Sequence, residues 1–328
     1  MATSRRLAAI DIGTVTTRLL VADVSATGVT EVARSTDITH LGEGLGATGR
    51  LSGVAMGRVA EVIARYTTTV AELGVERLTA LATSASRDAE NSDEFLGLLA
   101  EHGIVPVIIP GEREARLSFE GATSDMEPTR GLLVVDLGGG STELVLGDVT
   151  IDDGVRAAEV VKARSIDVGS KRVTERFLHA DPPAATELAE AREWATAQVR
   201  PYFDGLRERP KLMVSVAGTA TTLSAIRQEL AVYDSARVHC SCLTGSELAD
   251  LTEMLAAMPL ARRKAVVGLD PGRAPVIVAG ALILETVVAL AGLDSTLVSE
   301  HDILYGILLD TYRELQQGVT GGEALPAE

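Results

Sequence analysis

The segments LAAIDIGTVTTRLLV (residues 7–21) and LLVVDLGGGSTELVL (residues 132–146) are two copies of one plan, and that repetition decides the fold. Laid over each other without gaps at an offset of 125 (136 − 11), Asp11 meets Asp136, Gly13 meets Gly138, Thr16 meets Ser141 and Thr17 meets Thr142. In each copy an apolar run reads as a buried strand, a glycine-containing turn follows, and an apolar run resumes as a second strand. Each copy is therefore a hairpin with an aspartate at its entry. Glycine lets backbone approach a ligand closely, and successive N–H groups in such turns form anion-binding nests. Asp11, Asp136 and Glu143 are hard oxygen donors suited to magnesium. Two such loops facing each other would clamp a phosphate chain with its metal. The competing reading is that DIG and DLGGG are tight hairpin turns whose aspartates satisfy turn amides.

Outward from the first hairpin, GVTEVARSTDIT reads as a third strand, and SGVAMGRVAEVIARYTTTVAELG has apolar residues at helical spacing up to Gly74. RLTALATSAS reads as strand and turn, SDEFLGLLAEHG as a serine-capped helix ending at Gly103, and IVPVIIPG as another strand. After the second hairpin come the strand-like AAEVVKARSIDV and the helical PAATELAEAREWATAQVRPYFDGL. KLMVSVAGTATTLSAI reads as strand, Gly-Thr turn and helix, and VIVAGALILETVVALAG as a helix apolar all round, hence buried. STLVSEHDILYGILLDTYREL closes with strand and helix. This alternation is α/β. The expected domains are 1–127 and 128–328, with the last helix (302–316) packing back on the first domain and the polar tail 317–328 disordered.

Composition narrows the function. A chain of 328 residues, 46% hydrophobic, exceeds one average domain of roughly 100–200 residues. No stretch approaches the roughly 18 apolar residues of a spanning helix, and MATSRR runs straight into LAAIDIG without a signal-peptide layout. Two cysteines make no disulfide framework. The expected location is cytoplasmic. A net charge of −16 argues against nucleic acid and anionic membrane as partners, and a polyanionic substrate would need local cations and metal.

In IIPGEREARLSFEG a strand ends at Pro110-Gly111 and a helix starts with Glu112, Arg113, Glu114 and Arg116, a charge cluster that the helix dipole alone would also favour. GEREAR followed by LLVVDLGGGSTELVLG resembles the exopolyphosphatase and guanosine pentaphosphate phosphohydrolase family. ATSASRDAENSDEF (82–95), SIDVGSKRVTERFL (165–178), VAGTATTL (216–223) and GLDPGRAPVIVAGA (268–281) extend the resemblance over about residues 7–310. It implies a duplicated actin-like, ribonuclease H-like fold, two domains with a cleft between them. It also implies Glu114 as catalytic base, and Asp136 and Glu143 as magnesium ligands, with Asp11 added from the repeat and manganese as the alternative ion. Phosphate contacts would fall on Thr14, Thr16, Gly138, Gly139, Gly140 and Ser141 and on the side chains of Arg18, Arg87 and Arg273. Two positions depart from the family pattern: Val15 stands where asparagine is usual, and SEHDILYGIL stands where the pattern resembles SDxGLREG.

The implied activity is magnesium-dependent hydrolysis of the terminal phosphoanhydride of polyphosphate, with short chains favoured because the longer relatives' C-terminal helical domains are missing. Guanosine pentaphosphate is the alternative substrate, and an actin-like ATP-dependent kinase or a non-catalytic alarmone-binding protein are the other classes. A homodimer is the expected assembly. His239, Cys240 and Cys242 could suggest a metal site but read better as buried or half-exposed strand residues, since no second Cys/His pair stands at zinc spacing. Arg262-Arg263-Lys264 reads as a steering patch or a solvated helix face, and Lys171 and Arg172 as cleft-lining or plain surface residues.

Overall fold

Each copy of the repeat forms an antiparallel hairpin, β1 (Arg5–Ile12) with β2 (Thr16–Ser25) in the first. The computed structural model describes residues 4–152 and 155–318. Continuing along the chain are β3 (Gly28–Ile38), α1 (Leu45–Thr48), α2 (Gly53–Glu72), β4 (Arg77–Ala82), α3 (Ser84–Asp88), α4 (Ser92–Ala100), β5 (Val107–Ile108) and α5 (Gly111–Ala122). The second hairpin is β6 (Thr129–Leu137) with β7 (Thr142–Asp152). After it come β8 (Val155–Ile166), α6 (Ser170–Phe177), α7 (Ala185–Asp204), β9 (Leu212–Val216), α8 (Ala217–Arg227), α9 (Ser235–Val238), β10 (Cys242–Thr244), α10 (Gly245–Ala256), α11 (Leu260–Arg263), α12 (Ile277–Ala291), β11 (Ser295–Val298) and α13 (Ile303–Gln316). Two compact units result, Met1–Asp125 with Ile303–Glu328, and Met126–Asp302. Of the tail 317–328, residues 319–328 lie outside the described residues, and Gln317 and Gly318 form a turn. Among the described residues no helix is long and apolar enough to cross a membrane.

The sheets carry the duplication. In the first unit the order is β3-β2-β1-β4-β5, antiparallel through β1–β3 and parallel through β1, β4 and β5. In the second it is β8-β7-β6-β9-β11-β10, with the same antiparallel and parallel halves and β10 added antiparallel at the edge.

Because strand side chains alternate between faces, β1 sends Ala8, Ile10 and Ile12 to the core under α2, and Leu7 and Ala9 to the core under α5 and α13. Asp11 continues the latter row, so it emerges on the face that α5 covers. In β6, Leu133, Val135 and Leu137 join the core beneath α7 and α12, and Asp136 takes the opposite face. The helix α13 buries Ile303, Leu304, Ile307 and Leu308 against Leu7, Ala9 and Leu20, and Gly306 admits the Leu117 carbonyl of α5 where any Cβ would collide. Ser52 caps α2 by accepting from the Ala55 N–H, and twelve of the fifteen residues of α12 are buried.

Several local expectations change. The α4 N-cap is Asn91, not Ser92, and its amide instead fastens Leu51, accepting from the N–H (2.8 Å) and donating to the carbonyl (3.1 Å). β5 is two residues long because Pro106 and Pro110 bring no N–H to a ladder. No separate Gly-Thr turn precedes α8: Ala217, at φ 65°, makes the bend and begins the helix. Likewise the SAS turn after β4 is the helix α3.

The basic run at 262–264 is not simply a solvated face. Arg263 is buried and donates to the carbonyl of Leu255 in the last turn of α10 and to those of Met258 and Ala274 beyond it. Cys240 and Cys242 are not joined in a disulfide and are exposed rather than buried, and the half-buried His239 stacks on His301 at 4.5 Å between ring centroids.

Candidate functional site

The two hairpin turns share their geometry. Gly13 donates to the Thr16 carbonyl at 2.9 Å and Gly138 to the Ser141 carbonyl at 3.0 Å, so the repeat extends to the hydrogen bond that closes each loop. A Cβ at either glycine would crowd that same carbonyl, at 3.2 and 3.3 Å.

The carbonyls of the second loop all point one way. Gly138 accepts from Ser170, Gly139 accepts from the N–H groups of Lys171 and Arg172, and Gly140 accepts from Arg172 Nε at 2.8 Å. A trans peptide sets each carbonyl opposite the next residue's N–H, so the N–H groups of Gly139, Gly140 and Ser141 face away from α6. Three successive N–H groups so directed form an anion nest. Gly169 makes this docking possible, because a Cβ there would overlap Gly139 and Gly140. In the first loop the segment 39–42 plays the same part. Gly42 donates to the Thr14 carbonyl, and Thr39 and His40 donate to that of Val15, which turns the Val15 and Thr16 N–H groups away from the segment. The Val15 side chain is buried.

One position inside the repeat differs in charge. Arg18 and Glu143 are equivalent by the offset of 125 (143 − 18), and each stands directly across its ladder from the hairpin aspartate. In the first unit Arg18 takes up Asp11 Oδ2 at 2.6 and 3.1 Å. In the second unit Asp136 and Glu143 are carboxylates on directly opposed strand residues, hence on one face with Cβ atoms about 5 Å apart. They are 7% and 1% exposed, and Ser165 donates to Glu143 Oε1 at 2.6 Å. Two buried carboxylates at that spacing repel and ask for a cation, and an all-oxygen donor pair fits magnesium or manganese. The donor set therefore fits the metal.

Glu114, 8% exposed, sits in the first turn of α5. Arg87 Nη1 approaches its Oε2 at 3.2 Å and also donates to the Ile109 carbonyl at 2.9 Å, so Arg87 fixes both the carboxylate and the loop before it. Arg87, Glu114, Asp11, Arg18, Thr14 and Thr16 belong to the first unit; Asp136, Glu143, Gly138, Gly139, Gly140, Ser141 and Arg273 belong to the second. Arg273 lies against Gly218 in the first turn of α8, where a methyl group would overlap its guanidinium. Tyr233 donates to Glu300.

A model of the Ppx/GppA phosphatase family matches residues 20–312. The chain belongs to that family. It is 40% identical to exopolyphosphatase 2 of Mycobacterium tuberculosis, over 93% of this chain and 98% of that protein. The crystal structure of an exopolyphosphatase-like protein is 36% identical with a TM-score of 0.88, covering 95% of this chain and 99% of that one. The Aquifex aeolicus member of the Ppx/GppA family is 28% identical with a TM-score of 0.78, covering 95% and 99%. The duplicated actin-like fold of the family is thus the fold of this chain.

Within the Ppx/GppA frame, sequence reading missed the role of 169–172, whose only signal was a glycine and a serine before a basic helical turn. It also missed Ser165, Gly218 and the opposition of Arg18 to Glu143. The last is visible once the alignment is carried one residue past Thr17 and Thr142.

Proposed function

We propose that this chain is an exopolyphosphatase that hydrolyses the terminal phosphoanhydride of inorganic polyphosphate, short chains foremost, with Glu114 as general base and magnesium as cofactor. The observation that carries this reading is the asymmetric repeat. The first unit sets Arg18 across the ladder from its aspartate, whereas the second sets a second buried carboxylate, Glu143, across from its own, next to the turn at Gly139, Gly140 and Ser141. Its family membership and its likeness to exopolyphosphatase 2 support the same activity.

Asp136 and Glu143 would hold the metal, which supplies charge neutralisation to the phosphate oxygens. Asp11, held by Arg18 in the ligand-free protein, would be the third donor in this reading. The N–H groups of Gly139, Gly140 and Ser141 and the first loop at Thr14 and Thr16 bind non-bridging oxygens, and Arg87 and Arg273 add positive charge. Glu114, held by Arg87, orients a water and takes its proton during attack on the terminal phosphorus, releasing orthophosphate. Little covalent chemistry is required; positioning and charge stabilisation supply most of the rate.

Guanosine pentaphosphate is the second reading, favoured by the exposed Tyr233 ring near Arg273, an aromatic face suited to a purine. Turnover of tripolyphosphate, long-chain polyphosphate and guanosine pentaphosphate at equal concentrations of chain ends separates the two. The expected order of kcat/KM is tripolyphosphate first; a preference for the nucleotide by tenfold or more, about 1.4 kcal/mol, would overturn the polyphosphate assignment.

A further inference from the structure

Three hydroxyls of the first unit are buried without a hydrogen-bonding partner among the described residues: Thr14 Oγ1, Ser84 Oγ and Ser86 Oγ. The residues are 8%, 3% and 1% exposed. Buried polar groups are nearly always paired, and one that is not costs stability, so three in one locality ask for a ligand. They do share a locality. The Thr83 N–H donates to the Ile12 carbonyl at 3.2 Å, tying the start of α3 to the DIGT turn at the carboxyl ends of the parallel strands β1 and β4. The Thr14 side chain and the Ala85 methyl flank one point beside Gly42, where a Cβ would overlap Thr14. Arg87, the residue after Ser86, is the one that reaches Glu114.

The carboxyl ends of parallel strands are where open α/β sheets bind ligands. The chemistry of this stretch is that of a phosphoryl group. A terminal phosphoryl has three non-bridging oxygens, more acceptors than one arginine can saturate. Hydroxyl rotors can donate to them without placing further cations beside Glu114.

Resting on the phosphatase reading above, we propose that Ser84 and Ser86, together with Thr14, line a subsite for a phosphoryl group of the substrate and donate hydrogen bonds to its non-bridging oxygens. Ser84 and Ser86 are binding residues for the anion; the proton transfer stays with Glu114. In the free protein the hydroxyls carry the cost of standing unpaired, and the bound phosphoryl group relieves it.

That exchange predicts an unusual pair of signs. Ser84→Ala and Ser86→Ala are each expected to lower kcat/KM for tripolyphosphate with magnesium about tenfold, the effect of a lost hydrogen bond to a charged group. Each should leave the ligand-free melting temperature unchanged or raise it by about 2 °C. Each should also shrink the rise in melting temperature that inorganic phosphate gives the wild type. A fall in ligand-free melting temperature would mark the hydroxyls as structural and overturn the proposal. So would unchanged turnover with an unchanged phosphate response, the pattern expected if ordered water alone satisfies them. If the wild type cleaved no polyphosphate while its phosphate response still depended on Ser84 and Ser86, the subsite would stand and the exopolyphosphatase assignment would fall.

Discussion

Glu114→Gln is expected to lower kcat on tripolyphosphate by about 10²- to 10⁴-fold with little change in KM, the effect of removing a general base. Glutamine keeps the shape and one acceptor oxygen for Arg87, whose second bond to the Ile109 carbonyl is untouched. The melting temperature should therefore stay close to that of the wild type. A loss of roughly 3–5 kcal/mol of transition-state stabilisation without loss of fold separates catalysis from packing. Steady-state phosphate release and a thermal melt read both quantities, and full activity in the variant would remove Glu114 from the mechanism.

Glu143→Gln has the second largest expected effect, and its sign depends on the metal. Without divalent ion the variant should be as stable as the wild type or more so, because one of two opposed buried carboxylates is gone. With magnesium at about a hundred times its dissociation constant, the wild type should gain about 2.7 kcal/mol of stability. Glu143→Gln should lose most of that gain, and its phosphate release should need far higher magnesium. Melting curves with and without magnesium check this, and an equal magnesium response in both proteins would move the metal elsewhere.

These expectations rest on features of unequal visibility in the sequence. The duplicated hairpins were legible because aspartate, glycine and hydroxyl residues recur at one offset, and a strand-turn-strand pattern has few other solutions. The partner of each aspartate was not, since which residue stands across from Asp11 or Asp136 depends on ladder register. Register shows that one copy sets Arg18 across from its aspartate and the other sets Glu143 there.

Tertiary contact hid more. Gly169 reads as an ordinary helix-preceding glycine, and only the approach of Gly139 explains it. Arg263 reads as surface charge until the Leu255 and Met258 carbonyls are found around it. Asn91 was overlooked as a cap because its side chain serves Leu51, a residue 40 positions away. Glu114 was legible as a charge in a first helical turn, where the dipole alone accounts for it, and its pairing with Arg87 lies beyond any local pattern.

The central claim is attack by water on the terminal phosphorus, and one isotope measurement tests it. Tripolyphosphate is hydrolysed with magnesium in ¹⁸O-water, and the products are resolved by mass. The account predicts one ¹⁸O atom in each orthophosphate released in the first turnover and none in the remaining pyrophosphate. Label in the pyrophosphate, or no magnesium-dependent release, would contradict it.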